Sequence, residues 1–294
     1  MKGFSASEAA LEGFRLTRER PGTILAWSII NFVGVTTIGG LMLASLGAPF
    51  VDYIKKGGLK TIHPEELAGV LAASWPAFLG IMAVVVLFLS IMTAGICRIV
   101  LRPDERGFAH LRLGADELRL SAVNLMLLPL GLVFLVVVDM VGNLVAARSG
   151  AQAGVLAAAV AAVPMIWIGV RLCLATPMTF AEHRISLSDA WGLTRGRFWP
   201  LFGMIVLAVI FYIIIWALIF IIYMALTQLG GGPEAMTGRS LAPLALVALV
   251  LTLALQMVLP VLQSVMIYAP FAVAYQQLHG DQPANPLRAR MERG

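Results

Sequence analysis

Charged side chains are scarce in this sequence, making up 13% of its 294 residues, whereas soluble domains carry about 25%. Hydrophobic residues make up 60% and the mean hydropathy is +0.89. A water-soluble core cannot absorb this much apolar surface, so part of the solvent around the chain must be lipid. Cysteine is also scarce: Cys97 and Cys173 are too few for a disulfide framework or a zinc site, and we expect both to be small buried apolar residues.

The sequence lacks the common catalytic signatures. It contains no G-x-S-x-G, Walker A, H-E-x-x-H or G-x-G-x-x-G pattern. No motif therefore supports a nucleophilic hydrolase, a nucleotide-dependent enzyme or a zinc protease. The segment "TIHPEEL" places His63, Glu65 and Glu66 together, but a proline followed by two acids is more typical of a helix start than of a metal site. We therefore predict a protein that is not an enzyme and has no metal or cofactor.

Long apolar runs dominate what is present. A hydrocarbon core of about 30 Å needs roughly 20 helical residues, and the runs lack the alternation of membrane strands. The first run is too long for a signal peptide. We predict an all-α integral membrane protein with six transmembrane helices, at about Thr23–Phe50, Trp75–Ile96, Leu120–Val138 with a tail to Ala147, Val155–Thr179, Leu201–Gln228 and Leu241–Tyr268, the last continuing to Tyr275.

The positive charges predict the orientation. Of the 21 lysines and arginines, 16 fall on the segments that share a side with the N-terminus. Because cytoplasmic segments are enriched in positive charge, we expect both termini in the cytoplasm and the protein in a bacterial inner membrane. The opposite side holds five, namely Lys55, Lys56, Lys60, Arg148 and Arg239.

One passage is written twice. "SASEAALEGFRLTRERPG" at Ser5–Gly22 partly matches "SLSDAWGLTRGRFWPLFG" at Ser186–Gly203. The two matching ends are offset by 181 and 177 residues, a difference of about one helical turn. A looser copy, "LGADELRLSAVNLML" at Leu113–Leu127, passes directly from charged residues into an apolar run. We predict one membrane domain, 1–294, of three repeated units at 1–103, 104–185 and 186–294, with the last 14 or so residues as a flexible basic tail.

Each copy has the pattern of a short helix lying in the membrane interface, which we call an elbow. At 100° per residue, Leu187, Ala190, Trp191, Thr194 and Phe198 share one face, and the two nearby arginines flank it. Aromatic side chains on such a helix sit at the acyl boundary while arginines reach the phosphates. The copies that start at Ser5 and Ser186 also begin with a capping-box pattern, Ser-x-x-Glu in the first and Ser-x-x-Asp in the second. Each predicted unit is therefore an elbow followed by a transmembrane hairpin.

These passages carry a family resemblance. "SLSDAWGLTRGRFWPLFG", preceded by "RLCLATP", and the later "AVAYQQL" at Ala272–Leu278 resemble a group of bacterial six-span proteins that includes the membrane domain of glycerophosphoryl diester phosphodiesterase. The resemblance implies the six-span fold and a connection with lipids. The sequence holds no soluble stretch for the catalytic domain's metal-binding histidine and glutamate residues, so the resemblance does not imply hydrolase activity.

Two groups of residues are candidate sites. Arginines near the inner ends of spans and on elbows suit anionic head groups, although the orientation bias alone also places arginines there. Polar residues within apolar runs are candidates for a path or for hydrogen bonds between helices. The arginines are Arg18, Arg20, Arg98, Arg171, Arg195 and Arg197, and the intramembrane polar residues are Asp139, Asn124, Gln256 and Gln263.

Three functions fit these patterns. The preferred one is a non-enzymatic inner-membrane protein that binds or organises phospholipids, or supports a membrane complex made with another protein or with further copies of itself. The alternative is a transporter or flippase for an amphiphilic or anionic substrate, favoured by repeats, proline-containing spans and Asp139. A membrane enzyme acting on lipid phosphates comes third. A nucleic-acid partner is not expected, because the net charge of +5 lies in short segments beside apolar runs.

Overall fold

A computed structural model describes residues 4–55, 69, 74–103, 105, 108–231 and 243–280. These residues form helices and connecting turns, without a strand among them. The whole of "TIHPEEL" and the predicted basic tail at 281–294 lie outside the described residues. The helices are α1 (Ala6–Glu19), α2 (Pro21–Lys55), α3 (Trp75–Leu101), α4 (Ala115–Ser149), α5 (Ala151–Leu172), α6 (Ala175–Glu182), α7 (Leu187–Leu193), α8 (Phe198–Leu229) and α9 (Pro243–Gly280), with a 3-10 turn at Phe108–His110.

Six stretches are long and apolar enough to cross a membrane. They are α2 as far as Gly47, α3, α4, α5 continued through α6, α8 and α9. The prediction of an all-α multi-pass membrane protein with six such helices is confirmed. The helices extend past most of the predicted apolar runs, for example to Leu101 rather than Ile96 and to Gly280 rather than Tyr275.

Helix α9 is the centre of the bundle. It packs against α1, α2, α3 and α8, and its last turns share a buried cluster with α1 and α8 that includes Ala10, Met204 and Ala274. α1 lies close to α9 because its Gly13 faces Met266: a Cβ on Gly13 would lie 2.9 Å from the Met266 Cα. The first elbow is therefore held against the bundle and is not only a surface helix.

Helices α4 and α5 form a tight hairpin, and the turn between them lies at the end of the bundle opposite α1. Gly150 joins them with φ +89, a left-handed conformation that glycine adopts without strain. A Cβ on Gly154 would lie 2.5 Å from the Cβ of Ala146 and 2.7 Å from the carbonyl oxygen of Gly142. These small residues let the two backbones approach closely.

The two matching passages differ in how much of each is helical. α1 continues through Leu16 and Thr17, and Pro21 follows it, which is consistent with the bias of a pre-proline residue away from the helical region. α7 ends at Leu193, one residue before its own "TRGR". Gly196 then adopts φ +78, so the predicted continuous helical face does not extend to Phe198, which starts α8.

Only the first capping pattern forms its predicted bond. The Ser5 hydroxyl accepts from the backbone N–H of Glu8. Ser186 makes no side-chain cap bond and instead donates to the Arg184 carbonyl. The middle copy starts at Ala115 and runs without interruption into the α4 span, as its sequence predicted, because it contains neither glycine nor proline between Ala115 and Leu127. The three-unit repeat remains a prediction.

Candidate functional site

Arg98 is neutralised inside the protein. Its side chain is 3% exposed, and its guanidinium lies 2.5 Å from the carboxylate of Glu117, which is 2% exposed. Its Nε lies 3.4 Å from Glu105, and its Nη1 donates to the His110 carbonyl. These protein groups surround the guanidinium, so the interpretation that the geometry favours for Arg98 is structural.

Arg102 extends this buried pair into a larger ion-pair network. Its guanidinium stacks 4.7 Å over the Phe180 ring and donates to the Phe180 carbonyl at 3.1 Å. Its Nη2 also lies 2.9 Å from Nε2 of His183, whose Nδ1 is 2.7 Å from Asp116. The network joins the end of α3, the start of α4 and the end of α6, and we call it the internal ion-pair network.

Arg20 and His110 connect the first elbow to this network. Nη1 of Arg20 lies 3.2 Å from Nε2 of His110. His110 and Ala109 both have left-handed backbone angles, φ 58 and φ 50, and the indole of Trp27 donates to the Ala109 carbonyl at 2.7 Å. Burial and the nearby charges of Arg20 and Arg98 hold the pKa of His110 below its usual value.

Arg171 is in a different environment. Its guanidinium carbon lies 5.5 Å from the ring centre of Trp167 and 5.3 Å from that of Trp191. A guanidinium has five N–H donors. Within the described part of the chain, Arg171 uses its side chain for one long hydrogen bond, 3.5 Å to the Trp191 carbonyl, and its buried Nε has no acceptor. No ion pair is formed by Arg171 with a described acidic residue.

Arg195 and Arg197 follow directly on the loop that holds Arg171. The hydroxyl of Thr194 lies 3.0 Å from the Arg171 carbonyl and 2.9 Å from the Ala190 carbonyl, so the end of α7 lies against the end of α5. Arg195 is exposed and Arg197 is half-buried, and neither pairs with an acid among the described residues. We call this group the Arg171 patch; it consists of Arg171, Arg195, Arg197, Trp167 and Trp191.

The corresponding arginines of the first elbow have the same exposure. Arg18 is exposed like Arg195, and Arg20 is half-buried like Arg197. Arg18 also makes no ion pair with a described acid, whereas the neighbouring Arg15 contacts Glu12 at 2.9 Å. The first elbow contains no tryptophan between Ser5 and Gly22. Its exposed arginine therefore lacks the indole rings that lie beside Arg171.

The predicted intramembrane polar residues do not form one site. The amide of Asn124 donates to the hydroxyl of Ser90 at 2.9 Å, a bond between α4 and α3 of the kind expected. Gln263 is half-buried, and Gln256 is exposed and lines a small pocket of about 210 Å³ together with Trp216.

Asp139 lies on an exposed face of α4. Its carboxylate accepts from the amide of Asn143 at 2.9 Å. It is about 28 Å along the helix from Leu120, the start of the predicted apolar run, at 1.5 Å per residue, which is close to the full ~30 Å hydrocarbon thickness. A coupling role for Asp139 stays a prediction, and its position gives that role no support.

Metal-binding geometry is absent from the described residues: no group of three or more His, Cys, Asp or Glu side chains could hold an ion there. Both cysteines are free, with Cys97 buried and Cys173 half-buried.

The sequence did not indicate the two tryptophans as site residues. Trp167 precedes Arg171 by four residues on one helix, a spacing that brings side chains together and that could have been recognised. Trp191 lies 20 residues later on α7 and meets Arg171 only through the fold.

Comparison with known proteins gives one family. Residues 149–292 match the family model described as the membrane domain of glycerophosphoryl diester phosphodiesterase. The matched region includes the whole Arg171 patch and covers just under half of the chain. The resemblance predicted from "SLSDAWGLTRGRFWPLFG" is thereby confirmed. No curated protein and no solved structure matches the chain.

Proposed function

Starting from this resemblance, we propose that the chain is a non-enzymatic inner-membrane protein that binds anionic phospholipids at the Arg171 patch. The observation that carries the proposal is the guanidinium of Arg171, which lies against an edge-to-face pair of indole rings and leaves most of its donors without an acceptor among the described residues. A planar guanidinium binds phosphate through two parallel hydrogen bonds.

The surroundings of Arg171 favour a lipid phosphate over a soluble anion. Arg171 is in the last turn of the apolar helix α5. Trp167 within the patch and Trp199, two residues after Arg197, are both exposed. Indole rings concentrate at the level of lipid head groups, with their apolar part in the acyl region. Arg195 and Arg197 add two further positive charges to the patch, each suited to the surface potential of an anionic leaflet.

The proposal includes the orientation. The α1 helix, the internal ion-pair network and the Arg171 patch belong to the segments that carry 16 of the 21 positive residues. We place this end in the cytoplasm by the positive-inside bias. The patch then faces the inner leaflet, where anionic lipids supply the phosphate.

The test compares Arg171→Gln with Arg184→Gln. Arg184 lies near the same end of the bundle but is paired with Glu182 and Asp189, both at 2.8 Å, so the control removes the same charge without touching the patch. Each full-length variant is purified in a mild detergent. Its melting temperature is measured with phosphatidylglycerol and, separately, with phosphatidylcholine.

We expect phosphatidylglycerol to stabilise the wild type and Arg184→Gln more than phosphatidylcholine does. A ligand at 100 times its Kd contributes about 2.7 kcal/mol, which is measurable as a shift in melting temperature. Arg171→Gln should lose most of this difference. An unchanged preference for phosphatidylglycerol in Arg171→Gln would contradict the proposed site.

A further inference from the structure

An open cleft lies at the depth of the spans, beside the Arg171 patch. Its volume is about 430 Å³, within the range of small-molecule sites. The lining residues come from α4, α5, α6, α8 and α9 and from Cys173. Its wall is mainly apolar, with Leu127, Phe134, Ile168, Leu172, Ile205 and Phe271 among the lining residues.

Two glycines on the cleft wall face unoccupied space. Gly131 of α4 and Gly169 of α5 both line the cleft, and a Cβ added to either would meet no atom within 4 Å. Gly154 is different, because its Cβ would meet the opposing backbone at 2.7 Å. Close helix packing therefore accounts for Gly154 but not for Gly131 or Gly169, which widen the cleft.

The cleft continues directly from the head-group end. Leu172 and Cys173, which follow Arg171, line its inner part, and Met165 lines it six residues earlier. At 1.5 Å per residue, Met165 is about 9 Å deeper in the membrane than Arg171. The polar amide of Asn124 in the wall is already bonded to Ser90, so the cleft presents few unused polar groups to an occupant.

We propose that this cleft holds an acyl chain of the same phospholipid whose phosphate binds at the Arg171 patch. The inference rests on the proposed function and specifies its ligand: an intact glycerophospholipid, bound by head group and chain together. A phosphate at Arg171 places the glycerol and the start of the chains near the end of α5, where Ile168, Gly169 and Leu172 line the cleft. A soluble phosphate compound would use the patch and leave the cleft empty.

The experiment fills the cleft without crowding the protein. Gly131→Leu/Gly169→Leu places two side chains in the open space, whereas Gly203→Leu places one on an exposed site of α8 that also has nothing within 4 Å. The full-length variants and Arg171→Gln are titrated in detergent with dioleoyl-phosphatidylglycerol and with dihexanoyl-phosphatidylglycerol. Native mass spectrometry measures the bound lipid and the oligomeric state.

We expect the wild type and Gly203→Leu to bind the long-chain lipid several-fold more tightly than the short-chain lipid. The cleft variant should lose this long-chain advantage while it keeps its affinity for the short-chain lipid. Arg171→Gln should bind both lipids more weakly.

Three results would overturn the inference in distinguishable ways. A cleft variant that keeps the long-chain advantage would exclude the acyl chain from the cleft and leave the head-group site standing; a change in oligomeric state instead of lipid affinity would assign the cleft to a second copy of the chain. Unchanged binding of both lipids by Arg171→Gln would remove the proposed function, and this inference with it.

Discussion

Replacing Glu117 by glutamine removes the carboxylate that neutralises Arg98. The two side chains are 2% and 3% exposed and 2.5 Å apart, so the variant leaves a guanidinium in the interior with its main counter-charge gone. Breaking one partner of a buried pair costs about 3–5 kcal/mol. Glu105 stays 3.4 Å from the Arg98 Nε but is one-third exposed, so it offsets part of the loss, and we expect a cost of about 3 kcal/mol.

The assay is reversible unfolding in mixed micelles, with helical content measured against the fraction of denaturing detergent. Glu19→Gln is the matched control, because Glu19 is half-exposed and pairs with Arg15 at 3.8 Å. Such a surface pair contributes at most about 1 kcal/mol. The double variant Arg98→Met/Glu117→Leu should cost less than Glu117→Gln, because it removes both charges. A free energy of unfolding for Glu117→Gln equal to that of Glu19→Gln would refute the role assigned to the internal ion-pair network.

Two further predictions follow from the local geometry. Folding lowers the pKa of His110 below its usual 6.5, so the stability linked to the neutral imidazole is complete above that value and is lost as the pH falls toward the folded pKa. Melting temperatures measured between about pH 5 and about pH 8 should therefore fall less steeply on the acid side for His110→Gln than for the wild type. Parallel curves for the wild type and the variant would contradict this. Gly154→Leu should lower the free energy of unfolding by about 1–3 kcal/mol, because its Cβ meets Ala146 at 2.5 Å. Gly169→Leu, on the same helix with open space before it, should unfold like the wild type, and an equal loss in both variants would exclude packing as the cause.

The six spans could be predicted because the bilayer imposes a minimum length on every apolar helix. Their ends could not be read from hydropathy alone. The helix that carries Arg98 continues to Leu101, since its backbone hydrogen bonds continue past the apolar run. The end of α7 was also missed: the repeated "TR" suggested a continuous helix, but the glycine at 196 adopts a positive φ and the chain turns before Phe198.

The arginines show what a single sequence leaves open. Arg98 and Arg171 both follow long apolar runs and look equivalent in sequence. The fold places Glu117 beside Arg98 at a separation of 19 residues and places Trp191 beside Arg171 at a separation of 20. Such separations depend on how α3, α4, α5 and α7 pack, so local patterns could not separate the neutralised arginine from the one with unused donors.

The central claim is that the Arg171 patch retains an anionic phospholipid, and native mass spectrometry of the protein extracted gently from its own membrane tests it most directly. The account predicts a bound phospholipid with one defined anionic head group, retained by Arg184→Gln and lost from Arg171→Gln and from Arg195→Ala/Arg197→Ala. Recovery of the protein with a stoichiometric protein partner and no specific phospholipid, unchanged by these substitutions, would contradict it.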